Sequence, residues 1–237
     1  MSKKIDMQPY FKKYEAIVAK VEGVFQKMKE KYPQEVKCKE GCSDCCNALF
    51  DLTLIEALYV NHYFNQQIKD SKKEQLIEKA NKADRQTYKI KKEAYRLTQE
   101  GKKDDAVIIE EISQKRIRCP LLGDKDLCEL YEYRPIACRV YGIPQAVFGK
   151  GRTCGLSGFV PGESYPTLNH DIIHDMLLVI SDEFVQSIAS KHQKMSDLLV
   201  PVSMALITEY DEAYLGLPSE KTETDQLKEE NNGDFDK

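Results

Sequence analysis

The 237-residue chain reads as a mostly α protein, a helical domain with a cysteine-rich irregular region set into it. Three observations carry this. Apolar residues recur at three- and four-residue steps over most of the chain, the spacing of one face of an α-helix. Between Ile117 and Pro166 that spacing breaks, and prolines, glycines and aromatic residues crowd together, the composition of turns and short elements. All eight cysteines fall in two groups, one ahead of the second helix and one inside the break.

Taken in order, Phe11, Tyr14, Val18, Val21, Phe25 and Met28 form one stripe on a long amphipathic helix that Pro33 should end. A short extended stretch, Asn47 to Leu52, follows the first cysteine group. Thr53 and Glu56 match a capping box, in which cap and third residue satisfy each other's backbone N–H, and open a helix to about Ile68. Ser71 and Glu74 repeat the signature and start a longer helix to about Glu100. A fourth helix is read from Asp104 to Arg116. Helical spacing returns over Asn169 to His192 and over Ser196 to Tyr214, with Pro201 near the start of the last helix.

With 41% hydrophobic and 31% charged residues, the composition is that of an ordinary globular chain. No apolar run approaches the roughly 18 residues a membrane-spanning helix needs. The N-terminal stretch is basic but lacks an apolar segment behind it, so no secretory signal is expected. The cytoplasm, where thiols stay reduced, is therefore the expected compartment. The net charge of −4 resides in residues 218–237, an acidic polar tail expected to be disordered beyond a single domain over 1–217. The balanced body offers no bulk charge for nucleic acid, and neither nucleic acid nor a membrane is an expected partner.

The first cysteine group is Cys38-x3-Cys42-x2-Cys45-Cys46, and the second is Cys119, Cys128, Cys138 and Cys154. Core cysteines would be scattered over apolar helix faces, whereas these sit beside Gly, Pro, Ser and Asp. Cys42-x2-Cys45 lets a tight turn aim two sulfurs at one ion, and soft thiolates select zinc, iron–sulfur or Cu(I) over hard cations. A region with little apolar periodicity would also draw folding energy from its ligand bonds. The reading is therefore metal binding by all eight, as zinc or iron, the latter including an iron–sulfur cluster; four disulfides or free structural thiols are the alternatives. If Cys45 and Cys46 lie in extended backbone, they point to opposite sides and serve different metals. Two four-cysteine sites and one cluster with spare thiols both fit the count.

The first group, followed by Cys119-Pro-Leu-Leu, Cys128-Glu-Leu-Tyr-Glu-Tyr-Arg-Pro and Cys138-Arg, resembles the YkgJ-type cysteine-cluster proteins, the CxxCxxCC family of zinc- or iron-chelating domains. Tyr131, Glu132, Arg134, Pro135, Cys138 and Arg139 fall on that family's second-half pattern, and Cys154 matches its last cysteine. The likeness covers Cys38 to Asp51 and Ile117 to Gly155. It departs in the x3 first spacing and in a longer helical insertion between the halves, neither of which removes a ligand. The resemblance implies metal chelation. A relative, the flagellin lysine-N-methylase group, carries a similar cluster, so the resemblance also admits an enzyme.

Around the cysteines, Arg134 and Arg139 bracket Cys138, either to offset the negative charge of a thiolate site or as ordinary surface arginines. Tyr131, Tyr133 and Tyr141 either shield a cluster from water or, more simply, supply the small core of that region. His170 and His174 share one helix face, with Asp171 and Asp175 nearby; they make a second metal or substrate site or, more simply, a solvated helix start. The zinc-protease HExxH motif is absent. A basic stripe of Lys82, Arg85, Lys89, Lys92 and Arg96 runs along the third helix, and reads as its solvated face rather than a partner surface. The functional expectation is a metal-binding protein whose partner is the ion itself. The alternatives are an iron–sulfur enzyme and a zinc-stabilised adaptor using the basic helix.

Overall fold

The computed structural model describes residues 5–101 and 103–217, so the acidic tail from Pro218 lies outside the described residues. Helix α1 spans Gln8–Lys31 and buries Phe11, Tyr14, Ile17, Val21 and Met28, the expected stripe except that Ile17 is buried while Val18 and Phe25 are only partly so. Lys29 and Lys31 occupy its last turn, where cations suit the negative end of the helix dipole. After the first cysteine segment come strand β1 (Asp51–Thr53) and helix α2 (Leu54–Gln67). The expected capping pair is in place: the buried Glu56 carboxylate accepts from the Thr53 N–H at 3.2 Å and its hydroxyl at 3.1 Å.

Helix α3 runs Asp70–Gln99. Ser71 lies inside it, and the residue at its cap, Lys69, makes no side-chain capping bond, so the second capping box expected from sequence is not formed. Helix α4, Asp105–Ser113, is capped by Asp104, whose carboxylate accepts from Ala106 N at 2.8 Å. It stops short of the expected Arg116 because that residue pairs instead with Ala48 in an antiparallel bridge.

The break after Ile117 is largely irregular, as expected, with a 3-10 turn at Tyr131–Tyr133 and the short helix α5 (Ile136–Val140). It also holds a small sheet absent from the sequence reading, in which β2 (Gln145–Val147) pairs antiparallel with β3 (Lys150–Arg152) and parallel with β4 (Leu168–Asn169). Helix α6 spans His170–Ser187, with the Asn169 side chain accepting from the N–H groups of Asp171 and Ile172. The last segment corrects the reading of one long helix over Ser196 to Tyr214. Strand β5 (Leu199–Pro201) pairs with β1, and helix α7 covers only Val202–Ile207. Pro201 has no N–H to continue a helix behind it and takes extended backbone.

Helix α2 is the centre of the packing. One face, Ile55, Leu58 and Tyr59, joins α1 and the α6 residues Ile173, Leu177, Ile180 and Phe184. The other, Ala57, Val60 and Phe64, meets α3 through Leu76 and Ala80, and α7 through Ala205 and Leu206. A helix buried on both sides is apolar nearly all round, which explains its sequence LIEALYVNHYF. The irregular region is anchored in both clusters, by Ile136, Val140 and Ile143 in one and Leu121 and Leu130 in the other. No helix among the described residues is long and apolar enough to cross a membrane.

Tyr14 is fully buried and its hydroxyl finds no hydrogen-bond partner. A buried polar group without a partner forfeits its hydration. Tyr14→Phe is therefore expected to raise stability by about 1 kcal/mol, read as a higher midpoint in denaturant. A lower midpoint would show that the hydroxyl is bonded.

Candidate metal centre

The segment after α1 carries four cysteines in quick succession, and local backbone bonds shape it. Cys42 N bonds Lys39 O at 3.0 Å, and a 3-10 turn over Cys45–Asn47 follows. That turn, rather than extended backbone, sets the vicinal pair, so the premise that Cys45 and Cys46 point apart does not hold. Their sulfurs lie 3.9 Å from each other. Two thiolates at about 2.3 Å from one tetrahedral zinc stand about 3.8 Å apart, so the pair has the spacing of neighbours on one metal.

Backbone pairing brings the second group onto the first. Cys119 N bonds Cys46 O at 2.6 Å and Ile117 N bonds Asn47 O at 3.0 Å, beside the Ala48–Arg116 bridge. Cys128 is folded back beside Cys119 by its bridge to Leu122, whose N–H bonds Cys119 O at 3.1 Å. Cys138 sits in α5, whose start is held by Ile136 N bonding the Glu56 carboxylate at 3.1 Å. Cys154 follows β3, in the stretch tied to the segment after α1 by the Gly158 N to Glu35 O bond of 2.7 Å.

The result is one cavity of about 710 Å³ with all eight cysteines in its wall. Phe25, from the α1 stripe, faces it as well, with Phe50, Ile117, Leu121, Tyr131 and Tyr141 among the other lining groups. Among the described residues no three His, Cys, Asp or Glu side chains are gathered tightly enough to hold an ion; the thiols line the wall rather than meet at one point. The donor set nevertheless fits a soft metal, since sulfur is its dominant ligand type.

The electrostatics divide the thiols. Hydrogen bonds from Cys138 and Cys46 favour the Cys45 thiolate and hold it below the usual thiol range, and both neighbours are raised in return. Burial pushes Cys119 up to about 12, with Cys128 and Cys45 adding to the shift. Cys38 is pushed up to about 11, first by burial, then by the thiols of Cys42 and Cys154. Cys154 is raised first by burial and then by the hydrogen bond it donates to Asp44.

The two arginines bracketing Cys138 both line the cavity. Arg139 is no surface residue: it is buried, ion-paired with Glu22 and bonded to Arg134 O at 2.8 Å. Arg134 lies over the Tyr131 ring at 4.0 Å. Of the tyrosines, Tyr133 stacks on Tyr63 with ring centroids 3.8 Å apart and belongs to the core, while Tyr131 and Tyr141 face the cavity. His170 and His174 stand at the start of α6 and are not among the residues lining the cavity. In the basic stripe, Lys82 pairs with Glu78, and Arg96 pairs with Glu93 and Glu100.

Sequence reasoning missed Glu22, Asp44, Arg116 and Gly142. Only Asp44 carried a signal, its place between Cys42 and Cys45. A Cβ on Gly142 would come within 2.1 Å of Cys38 Sγ, so only glycine lets that thiol sit where it does. Gly142→Ala is expected to turn Cys38 away and weaken metal affinity about tenfold, the low end of what supporting residues contribute. An unchanged dissociation constant in a metal titration would show that this close approach does not position the thiol.

No curated protein and no solved structure matches the chain. A family model described as a "putative zinc- or iron-chelating domain" matches residues 37–155. That span is half of the chain and contains every cysteine in it. With its cysteines set around one cavity by the folding of that same span, the chain belongs to the CxxCxxCC family.

Proposed function

We propose that the chain is a metal-binding protein that chelates zinc or iron through Cys38, Cys42, Cys45, Cys46, Cys119, Cys128, Cys138 and Cys154, for structure, storage or delivery of the metal. The observation that carries this reading is the shared cavity: two cysteine groups separated by three helices line a single wall. Arg139, buried and ion-paired with Glu22, lines that cavity next to Cys138 in the chain.

Thiols raised by burial and by one another hold their protons at neutral pH, and the metal must displace them. The sign follows directly. Acid favours the protonated thiols and weakens binding, and each proton released per ion changes affinity about tenfold per pH unit. Anaerobic titration with zinc or ferrous ion is the test, with thiolate-to-metal absorption and proton release followed together. Uptake with proton release, and affinity falling at least about tenfold per unit from pH 8 to 6, is expected. Failure to take up either ion at any pH would overturn the proposal.

One observation favours a second reading. A cavity of about 710 Å³ exceeds what bare ions need and lies in the range of about 300–1,000 Å³ of small-molecule sites. That room suits an iron–sulfur cluster with a substrate beside it, as in an enzyme akin to the flagellin lysine-N-methylase group. Iron with acid-labile sulfide in anaerobically purified protein would favour this reading; a colourless zinc protein would remove it.

A further inference from the structure

Helix α3 is fastened to the body on one side and turns another side to water. Ala83 and Thr87 are buried, and Lys91 reaches the Asp51 carboxylate of β1 at 2.7 Å. Away from that contact, Arg85, Tyr88, Lys89, Lys92, Tyr95 and Arg96 are all exposed. Their positions, i, i+3, i+4, i+7, i+10 and i+11, lie on one helix face, a stripe about 16 Å long at 1.5 Å per residue.

The chemistry of this stripe is incomplete in two respects. Arg96 is paired with Glu93 and Glu100, but Arg85, Lys89 and Lys92 have no partner at ion-pair distance among the described residues. The rings are bare as well: Tyr88 is 62% exposed and Tyr95 67%, although aromatic surface gains by leaving water. Lys92 lies over the Tyr88 ring at 5.8 Å, so charge and ring occupy the same spot.

The complementary groups are carried by this chain itself. Residues 218–237 hold seven acids and three bases, which accounts for the whole net charge of −4 and leaves the body balanced. Within them Phe235 stands between Asp234 and Asp236, an apolar ring framed by two charges of the sign that the stripe lacks. A segment this polar cannot bury enough apolar surface to fold alone, but an oppositely charged face can hold it. The reach is sufficient. Next to Leu217, Lys191 N bonds Gly216 O at 2.8 Å. Strand β5 begins eight residues after Lys191 and pairs with β1, whose Asp51 holds Lys91 of α3. Those eight residues span at most about 28 Å, whereas twenty residues extend up to about 66 Å. Tethering also raises the local concentration of the segment to the order of 1 mM, so that a weak contact is populated.

We propose that residues 218–237 dock on the outer face of α3, with their carboxylates against Arg85, Lys89 and Lys92 and Phe235 against the exposed rings. The docked segment closes that face to other polyanions, single-stranded nucleic acid included. The inference is independent of the metal-binding reading.

The test treats the full chain with a zero-length carbodiimide, which joins a carboxylate to an amine in direct contact, and maps the links in the monomer fraction by mass spectrometry. At low salt the carboxylates of 218–237 should link to Lys89 and Lys92 in preference to the other lysines of residues 1–217. In about 1 M salt, where charges more than about 3 Å apart are screened, those links should disappear. Links spread evenly over the lysines of residues 1–217 would overturn the inference, as would links to Lys89 and Lys92 found only between two chains. A second measurement titrates an oligothymidylate of about 20 nucleotides, a length that exceeds the stripe, into the full chain and into a variant with Glu223→Gln, Asp225→Asn, Glu229→Gln and Glu230→Gln. The variant should bind at least about tenfold tighter, and adding Lys89→Glu and Lys92→Glu should remove the gain. Equal and tight binding by the wild type and the variant would show a face open to nucleic acid, and equal absence of binding would show no face to close; either overturns the inference.

Discussion

Stripping bound metal with a chelator is expected to lower the melting temperature by about 10 °C and to open the cysteine-bearing loops while the helical core stays folded. A ligand present at about a thousand times its dissociation constant stabilises the folded state by about 4 kcal/mol. In a chain of this size each kcal/mol moves the midpoint by about 2–4 °C. The effect should be local because the irregular region does not depend on metal alone. Leu121, Leu130, Ile136, Val140 and Ile143 are buried in the two apolar clusters, and burying one such side chain contributes about 1.5–3 kcal/mol. The cysteine backbones have few equivalents: Cys38, Cys42, Cys45 and Cys46 are only half-buried, and their segment is held by turns and a few bonds to residues 116–119. Amide exchange should therefore accelerate over 38–48 and 117–128 on chelation and change little in α1, α2 and α6. Identical exchange and melting with and without metal would remove any structural role for it.

How much of this was legible before the structure can be judged element by element. Helix α1 was, because one face meets the core and the other meets water, so its 3-4 spacing is written directly into the residues. The start of α2 was legible for a different reason: Thr53 and Glu56 satisfy each other within one turn, and local chemistry survives in sequence. The last helix was misread because Val200, Leu206, Tyr210 and Tyr214 all pack on the core yet come from a strand, a short helix and the turns after it. Burial, not helical geometry, produced that spacing. The β2–β3 hairpin was hidden by its turn, where Phe148 and Gly149 both have positive φ, a conformation whose usual signature is Asn-Gly. Around the cavity, the eight cysteines announced themselves through side-chain chemistry and clustering. Asp44 and Arg116 did not, since 72 residues separate them and their pairing exists only once the chain has folded. The same holds for Gly142, whose need for a bare Cα comes from a sulfur more than a hundred residues earlier.

Replacing Glu56 by alanine is expected to cost about 3–5 kcal/mol. The carboxylate is buried and accepts three bonds, from the N–H and hydroxyl of Thr53 at 3.2 and 3.1 Å and from the N–H of Ile136 at 3.1 Å. Alanine would leave two buried backbone donors without partners, and each such orphan costs about 1–3 kcal/mol, against a total stability of about 5–15 kcal/mol. Burial pushes the Glu56 carboxyl above its ordinary value of 4.5, outweighing the donors and Arg139, which pull it down. The pH sign follows from that direction. A group raised on folding favours the folded state in its protonated form, so its contribution is full below 4.5 and is lost as pH rises through the folded value. Glu56→Gln, which does not titrate there, should therefore fall further behind the wild type as pH drops from 7 toward 5. Chemical denaturation at the two pH values checks both statements, and a loss below about 1 kcal/mol in Glu56→Ala would show that the two N–H groups find other partners. The consequence reaches the cavity, because Ile136 opens the short helix that carries Cys138. Releasing that N–H frees the helix start two residues from the thiol that hydrogen-bonds Cys45. Glu56→Ala should thus weaken metal binding as well as folding.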